Sequence, residues 1–167
     1  MIYGKPYEFA IFYDVLEKTD DERWKYGLFN FFIEDEAYPS KGSNYTLDMV
    51  VKYLKDSRLD INLKSNIKIR LPENITDVMA MLAHSHELFI DTDPEGFEFS
   101  ESEPLGVFLS PLEIADVGFY LFYYFLDDGD NEYLVYSSDY GCTVKQAIFK
   151  KGTVYGVIES LPDKICI

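Results

Sequence analysis

An α+β fold in one domain follows from three features of the sequence. Segments rich in aromatic and β-branched residues stand at both ends of the chain, and stretches with helical spacing lie between them. No repeat, low-complexity tract or linker divides the 167 residues. The expected architecture is a single globular domain over residues 1–167. It has an antiparallel sheet, made of an N-terminal hairpin plus a C-terminal meander, and about two helices between.

Phe9 to Leu16 and Lys25 to Ile33 predict two strands joined by the charged loop Glu17 to Arg23. Leu28, Phe29, Phe31 and Phe32 make the second strand apolar on both faces, which predicts a place inside a covered sheet. Pro39 to Asn44 is a loop by composition. Leu47, Val50, Val51 and Leu54 then recur at i, i+3, i+4 and i+7, with Lys52 and Lys55 off that stripe. This is an amphipathic helix, with Asn44 or Thr46 as its cap. Between Leu59 and Leu71, Ile61, Leu63, Ile67 and Ile69 alternate with polar residues, a period that favours short strands. Asn74 caps a second predicted helix, whose apolar face is Ile75, Val78, Met79 and Leu82. Phe89 to Pro104 reads as an acidic loop. Phe119 to Leu126, the turn residues Asp127 to Asp130, and Tyr133 to Tyr136 make a hairpin. Val144 to Lys150 and Val154 to Glu159, joined by Lys151-Gly152, read as another strand pair.

Charge is distributed unevenly along the chain. No lysine or arginine occurs between Arg70 and Lys145, while that stretch holds 16 of the 30 acidic residues. It sums to −16, and the remainder, 15 basic against 14 acidic, to +1. Such a field attracts basic partners and repels nucleic acid and anionic membrane. With 47% apolar residues, the chain is not a solvated tail. Its 13 Phe and 14 Tyr belong mostly to the core, and some Tyr to an interface. Cys142 and Cys166 are far apart and read as reduced thiols of a cytoplasmic protein. The first residues lack the basic and apolar regions of an export signal. The longest apolar run, Val117 to Leu126, is half of what a membrane-spanning helix needs.

Chemistry-bearing motifs are sparse. His84 and His86 stand two apart near a helix end, where they cannot share a metal, and read as a cap or polar surface. Asp91-Thr92-Asp93-Pro94-Glu95-Gly96 imitates the start of a calcium loop, but the glutamate required at position 12 is replaced by Ser102. No Gly-x-Ser-x-Gly elbow or glycine-rich phosphate loop occurs, and neither cysteine has a histidine near it in sequence. No residue is assigned a catalytic, cofactor-binding or metal-binding role. The partner-binding set is Asp91, Asp93, Glu95, Glu98, Glu101 and Glu103, with Phe97 and Phe99 as apolar anchors among them. A second anionic cluster comprises Asp127, Asp128, Asp130 and Glu132 at the predicted hairpin tip. Solubilising faces normally mix both signs, and this stretch does not.

Met1-Ile2-Tyr3-Gly4-Lys5-Pro6-Tyr7-Glu8-Phe9-Ala10-Ile11, followed by Trp24 to Ile33, resembles the opening of immunity-protein family forty-two of bacterial polymorphic toxin and contact-dependent growth inhibition systems. The resemblance implies a small, non-enzymatic cytoplasmic protein that binds the C-terminal domain of a cognate toxin, often a nuclease. A nuclease presents Lys and Arg to hold phosphates, so an acidic surface complements it. The expected function is neutralisation of a toxin by stoichiometric binding, with no nucleic-acid or membrane partner. An acidic adaptor for another basic protein, or a hydrolase using an unidentified carboxylate pair, are the alternatives.

Overall fold

A computed structural model describes residues 1–40, 43–88, 90, 103–127 and 129–166. Among them are two antiparallel sheets and four helices. The first sheet contains β1 (Ile2–Gly4), β2 (Phe9–Lys18), β3 (Lys25–Ile33) and β4 (Glu36–Tyr38) in that order. β5 (Tyr45–Thr46) pairs with the far end of β3. Helices α1 (Leu47–Lys64) and α2 (Ile75–Ser85) follow. The second sheet is the meander β6 (Val107–Phe108), β7 (Tyr120–Phe125), β8 (Asn131–Ser137) and β9 (Lys145–Lys150). The short α3 (Leu112–Asp116) lies between β6 and β7, and α4 (Thr153–Ser160) closes the chain.

The predicted N-terminal hairpin forms, with Phe9 opposite Ile33 and a bulge between Val15 and Glu17. Gly27 stands opposite Val15 at that bulge, and a Cβ there would collide with the carbonyl oxygen of Asp14. Phe29, Phe31 and Ile33 are buried, but Leu28 and Phe32 on the other face are only half-buried. β3 is thus covered on one face. β7, by contrast, is covered on both faces. Its Leu121 and Tyr123 join Phe9, Phe31, Leu54 and Ile158 in the main core, while Tyr120, Phe122 and Tyr124 pack beneath α2. Alternating faces of one strand therefore enter two different clusters, and each requires apolar side chains.

Where the two sheets meet, aromatic rings form a seam. Tyr38 stacks on Phe119 at 5.3 Å and meets Tyr136 at 5.2 Å, and Phe119 also contacts Phe31 at 5.8 Å. On the far side of the second sheet, α2 starts as predicted, with Asn74 Oδ1 accepting the Thr76 N–H at 2.8 Å. It buries Val78, Met79, Met81 and Leu82, each contributing about 2 kcal/mol of apolar burial.

Two segments read as strands are helical instead. Residues 59–64 continue α1 rather than forming a strand, and beyond it only Asn66 makes a bridge, to Phe125. The apparent alternation is a helix seen at every second residue: Ile61 is buried, whereas Leu59 and Leu63 lie one turn apart on the outer face. Val154 to Glu159 is likewise helical, because Val154, Val157, Ile158 and Leu161 at i, i+3, i+4 and i+7 all enter the core.

Two charged side chains from distant elements hold that last helix. Its N-cap is Gly152, which has no side chain to offer. The Glu132 carboxylate on β8 accepts the backbone N–H groups of Gly152 (3.1 Å) and Val154 (2.8 Å) instead, along with the Tyr123 hydroxyl. At the other end, Lys55 Nζ of α1 donates to the carbonyls of Glu159 (3.1 Å) and Leu161 (2.7 Å) and pairs with Asp163 at 3.2 Å. A carboxylate at the start and an ammonium at the end both complement the helix dipole. Lys55, read from sequence as lying off the buried stripe, is itself buried.

Candidate functional site

Of the sequence-predicted contact residues, Asp91, Asp93, Glu95, Phe97, Glu98, Phe99, Glu101 and Asp128 lie outside the described residues. Glu103, Asp127 and Asp130 are exposed. Asp127 Oδ1 accepts a hydrogen bond from Asn66 Nδ2 at 2.8 Å, which ties the β7–β8 turn to the end of α1. Glu132 is a correction. It is 0% exposed, enclosed by the three donors described above, and so is not part of the surface. Burial, and then the neighbouring carboxylate, raise the Tyr123 hydroxyl far above the ordinary tyrosine range, so it stays a donor to Glu132.

The acidic stretch is also less uniform in space than in sequence. Asn131 pairs with Lys150, and Lys151 donates its N–H to the Asp130 carbonyl at 2.8 Å, which brings two lysines alongside the hairpin tip. Lys151 Nζ sits 4.5 Å from the Phe125 ring centroid. Other acids of the stretch have internal roles. Glu113 accepts from both the N–H and the hydroxyl of Thr46 at 2.7 Å, holding the start of α1. Asp139 accepts from the Ser137 hydroxyl at 2.7 Å and from the Thr143 N–H at 2.7 Å, and these bonds hold its carboxyl below the usual range.

The acidic connection between α2 and β6 is clamped at its base. Leu105 donates its N–H to Ser85 Oγ at 2.9 Å, and its carbonyl accepts from His86 Nε2 at 3.0 Å. The His86 ring packs 5.5 Å from Phe122 and 6.2 Å from Phe108, and burial pushes its pKa down, so it is neutral at pH 7. His86 caps α2 and staples a loop stem, in line with the helix-end reading. No group of three or more His, Cys, Asp or Glu able to hold a metal ion occurs among the described residues.

A groove of ≈ 350 Å³ opens between α1 and the start of β6. His86, Pro104 and Phe108 form its apolar side, with Tyr53, Asp56, Asp60 and Lys64 of α1 opposite. The Tyr53 hydroxyl donates to the Phe108 carbonyl at 2.7 Å, and burial with the nearby Asp60 pushes its pKa up to about 12. Among the described residues, Asp56 and Asp60 pair with exposed lysines of their own helix, Lys52 at 2.5 Å and Lys64 at 3.5 Å. On the adjoining surface of α1, Leu59 is 65% and Leu63 71% exposed. Pro104 carries the chain from this groove to Glu103. Lys64, which also lines it, is two residues from the Asn66 that holds Asp127. Sequence reasoning missed Leu59 and Leu63; continuing the helical periodicity past Leu54 would have found them.

A small α+β domain whose chemistry lies on its surface, in carboxylates and exposed apolar side chains, is the class of protein that this fold and site define. The chain belongs to the Immunity protein 42 family, whose profile matches residues 1–164. The resemblance seen over the first 33 residues thus extends over nearly the whole chain. An uncharacterized protein of Pasteurella multocida (strain Pm70), PM0502, is 29% identical over 173 residues, covering 98% of this chain and 99% of the relative. The crystal structure of CdiI from Burkholderia dolosa AUO158 has the same fold. It superposes with a TM-score of 0.68 at 18% identity over 95% of this chain and 96% of that one. No helix among the described residues is long and apolar enough to cross a membrane.

Proposed function

We propose that this protein is a cytoplasmic immunity protein that neutralises a cognate toxin domain by forming a one-to-one complex with it. The observation that carries the reading is the match of residues 1–164 to Immunity protein 42. The partner is the C-terminal domain of a toxin, with a basic surface of the kind a nuclease presents to phosphates. The described acids Glu103, Asp127 and Asp130, with the acidic residues 91–101 and Asp128, supply the complementary field, and Phe97 and Phe99 the desolvated anchors. Inhibition needs no catalysis, only occupancy of the toxin's surface.

The test is binding to, and protection against, the toxin domain encoded immediately upstream of this gene. Nanomolar one-to-one binding that abolishes toxicity is expected, with an association rate that falls at least about tenfold between low and high salt. No binding at either salt concentration would refute the assignment.

A further inference from the structure

The groove beside α1 combines features that the acidic stretch alone does not supply. Its apolar side is made of His86, Pro104 and Phe108, and its opposite lip carries Asp56 and Asp60. The two hydroxyls that line it are engaged elsewhere, Tyr53 with the Phe108 carbonyl (2.7 Å) and Ser57 with the Leu54 carbonyl (2.6 Å). The carboxylates of Asp56 and Asp60, paired with exposed lysines, are the side-chain acceptors that an incoming cation can reach. Their present partners are exposed lysines one turn away, weak pairs that a better-placed cation can displace. The charges fit one kind of visitor: a cation can sit against the aromatic and histidine rings while its charge meets Asp56 and Asp60. Just outside the lip, Leu59 and Leu63 expose two leucines one helical turn apart, an apolar shoulder with no packing partner among the described residues.

We infer that this groove receives an arginine or lysine side chain of the toxin domain, with an apolar side chain next to it on the toxin resting on Leu59 and Leu63. The inference rests on the proposed immunity function and extends the contact surface from the acidic connection onto α1. Asp60 faces the groove and pairs with the inserted cation in place of Lys64. Leu59 and Leu63 exclude water from that pair, which strengthens it.

The experiment measures the affinity of the upstream toxin domain for the full chain and four variants: Asp60→Lys, Asp60→Asn, Leu59→Ser/Leu63→Ser, and Asp20→Lys in the β2–β3 loop. Thermal denaturation of each verifies the fold. The expected result is weakening by about thirtyfold or more for Asp60→Lys, and by about tenfold for Asp60→Asn and for the double serine variant. Asp20→Lys should change affinity less than about threefold. Wild-type binding retained within about threefold by both Asp60 variants overturns the groove assignment and leaves the immunity function standing. Loss confined to the leucine variant does the same, because no cation would then occupy the groove. Absence of wild-type binding overturns the immunity reading itself, and the groove's occupant with it.

Discussion

Replacing Glu132 with alanine removes the acceptor for three donors at once: the Tyr123 hydroxyl and the N–H groups of Gly152 and Val154. All three are left facing a dry gap, since Glu132 is 0% exposed and Tyr123 is buried. Hydrogen bonds to a charged group contribute about 1.5–3 kcal/mol each, and stripping one partner from a buried charged network costs about 3–5 kcal/mol. The expected loss for Glu132→Ala is therefore about 4 kcal/mol, a large part of the stability of a domain this size. Glu132→Gln keeps the shape and one acceptor oxygen, and its loss should be about 1–2 kcal/mol. Tyr123→Phe removes one donor to the charged carboxylate and should cost about 1.5–3 kcal/mol. Urea denaturation followed by tyrosine and tryptophan fluorescence measures all three. With an m-value near 2 kcal/mol/M, the alanine variant's midpoint falls by about 2 M. A shift below about 0.5 M, or Glu132→Gln that weakens toxin binding without loss of stability, would refute the structural role and return Glu132 to the surface.

Gly27→Ala should be poorly soluble or lose about 3 kcal/mol or more, because its Cβ meets the Asp14 carbonyl across the β2–β3 bulge; expression yield and urea midpoint decide this. Lys55→Met keeps the aliphatic stem but releases the carbonyls of Glu159 and Leu161, and should cost about 2–3 kcal/mol by the same titration. His86 sets a pH dependence. Burial lowers its folded pKa, so the unfolded chain takes up a proton first as pH falls through about 6.5. Stability from this group is fully present above that pH and is lost as pH falls toward the folded pKa. His86→Gln, which can still donate to Leu105, should therefore lose less stability than wild type between pH 7.5 and 5.5. Equal losses in both proteins would dismiss the histidine as the cause.

Much of the fold was legible because local signals agreed with the tertiary environment. The β2–β3 and β7–β8 hairpins are bounded by polar turns, and α2 has its cap in Asn74. α4 was misread because Val154-Tyr155-Gly156-Val157-Ile158 has strand composition, and because its start signal lies at Glu132, on another element. The C-terminal part of α1 was misread because only every fourth residue of that segment faces inward, which an alternating pattern imitates. The acidic stretch was legible as charge and not as geometry. Antiparallel pairing sets Lys150 opposite Asn131 at the hairpin tip, and folding draws Glu132 and Glu113 into internal bonds. Sequence order cannot reveal which carboxylates water will reach.

The two charges that hold α4 make it a cooperative element. A helix of eight residues has almost no stability by itself. Here its first turn depends on β8 and its last on α1, which belong to different layers. The helix cannot close before both layers are in place, and the layers cannot part without melting it. Its amides should exchange with solvent only through opening of the whole molecule, at the same free energy as the core of β7. The integrity of α4 thus reports the integrity of both layers at once.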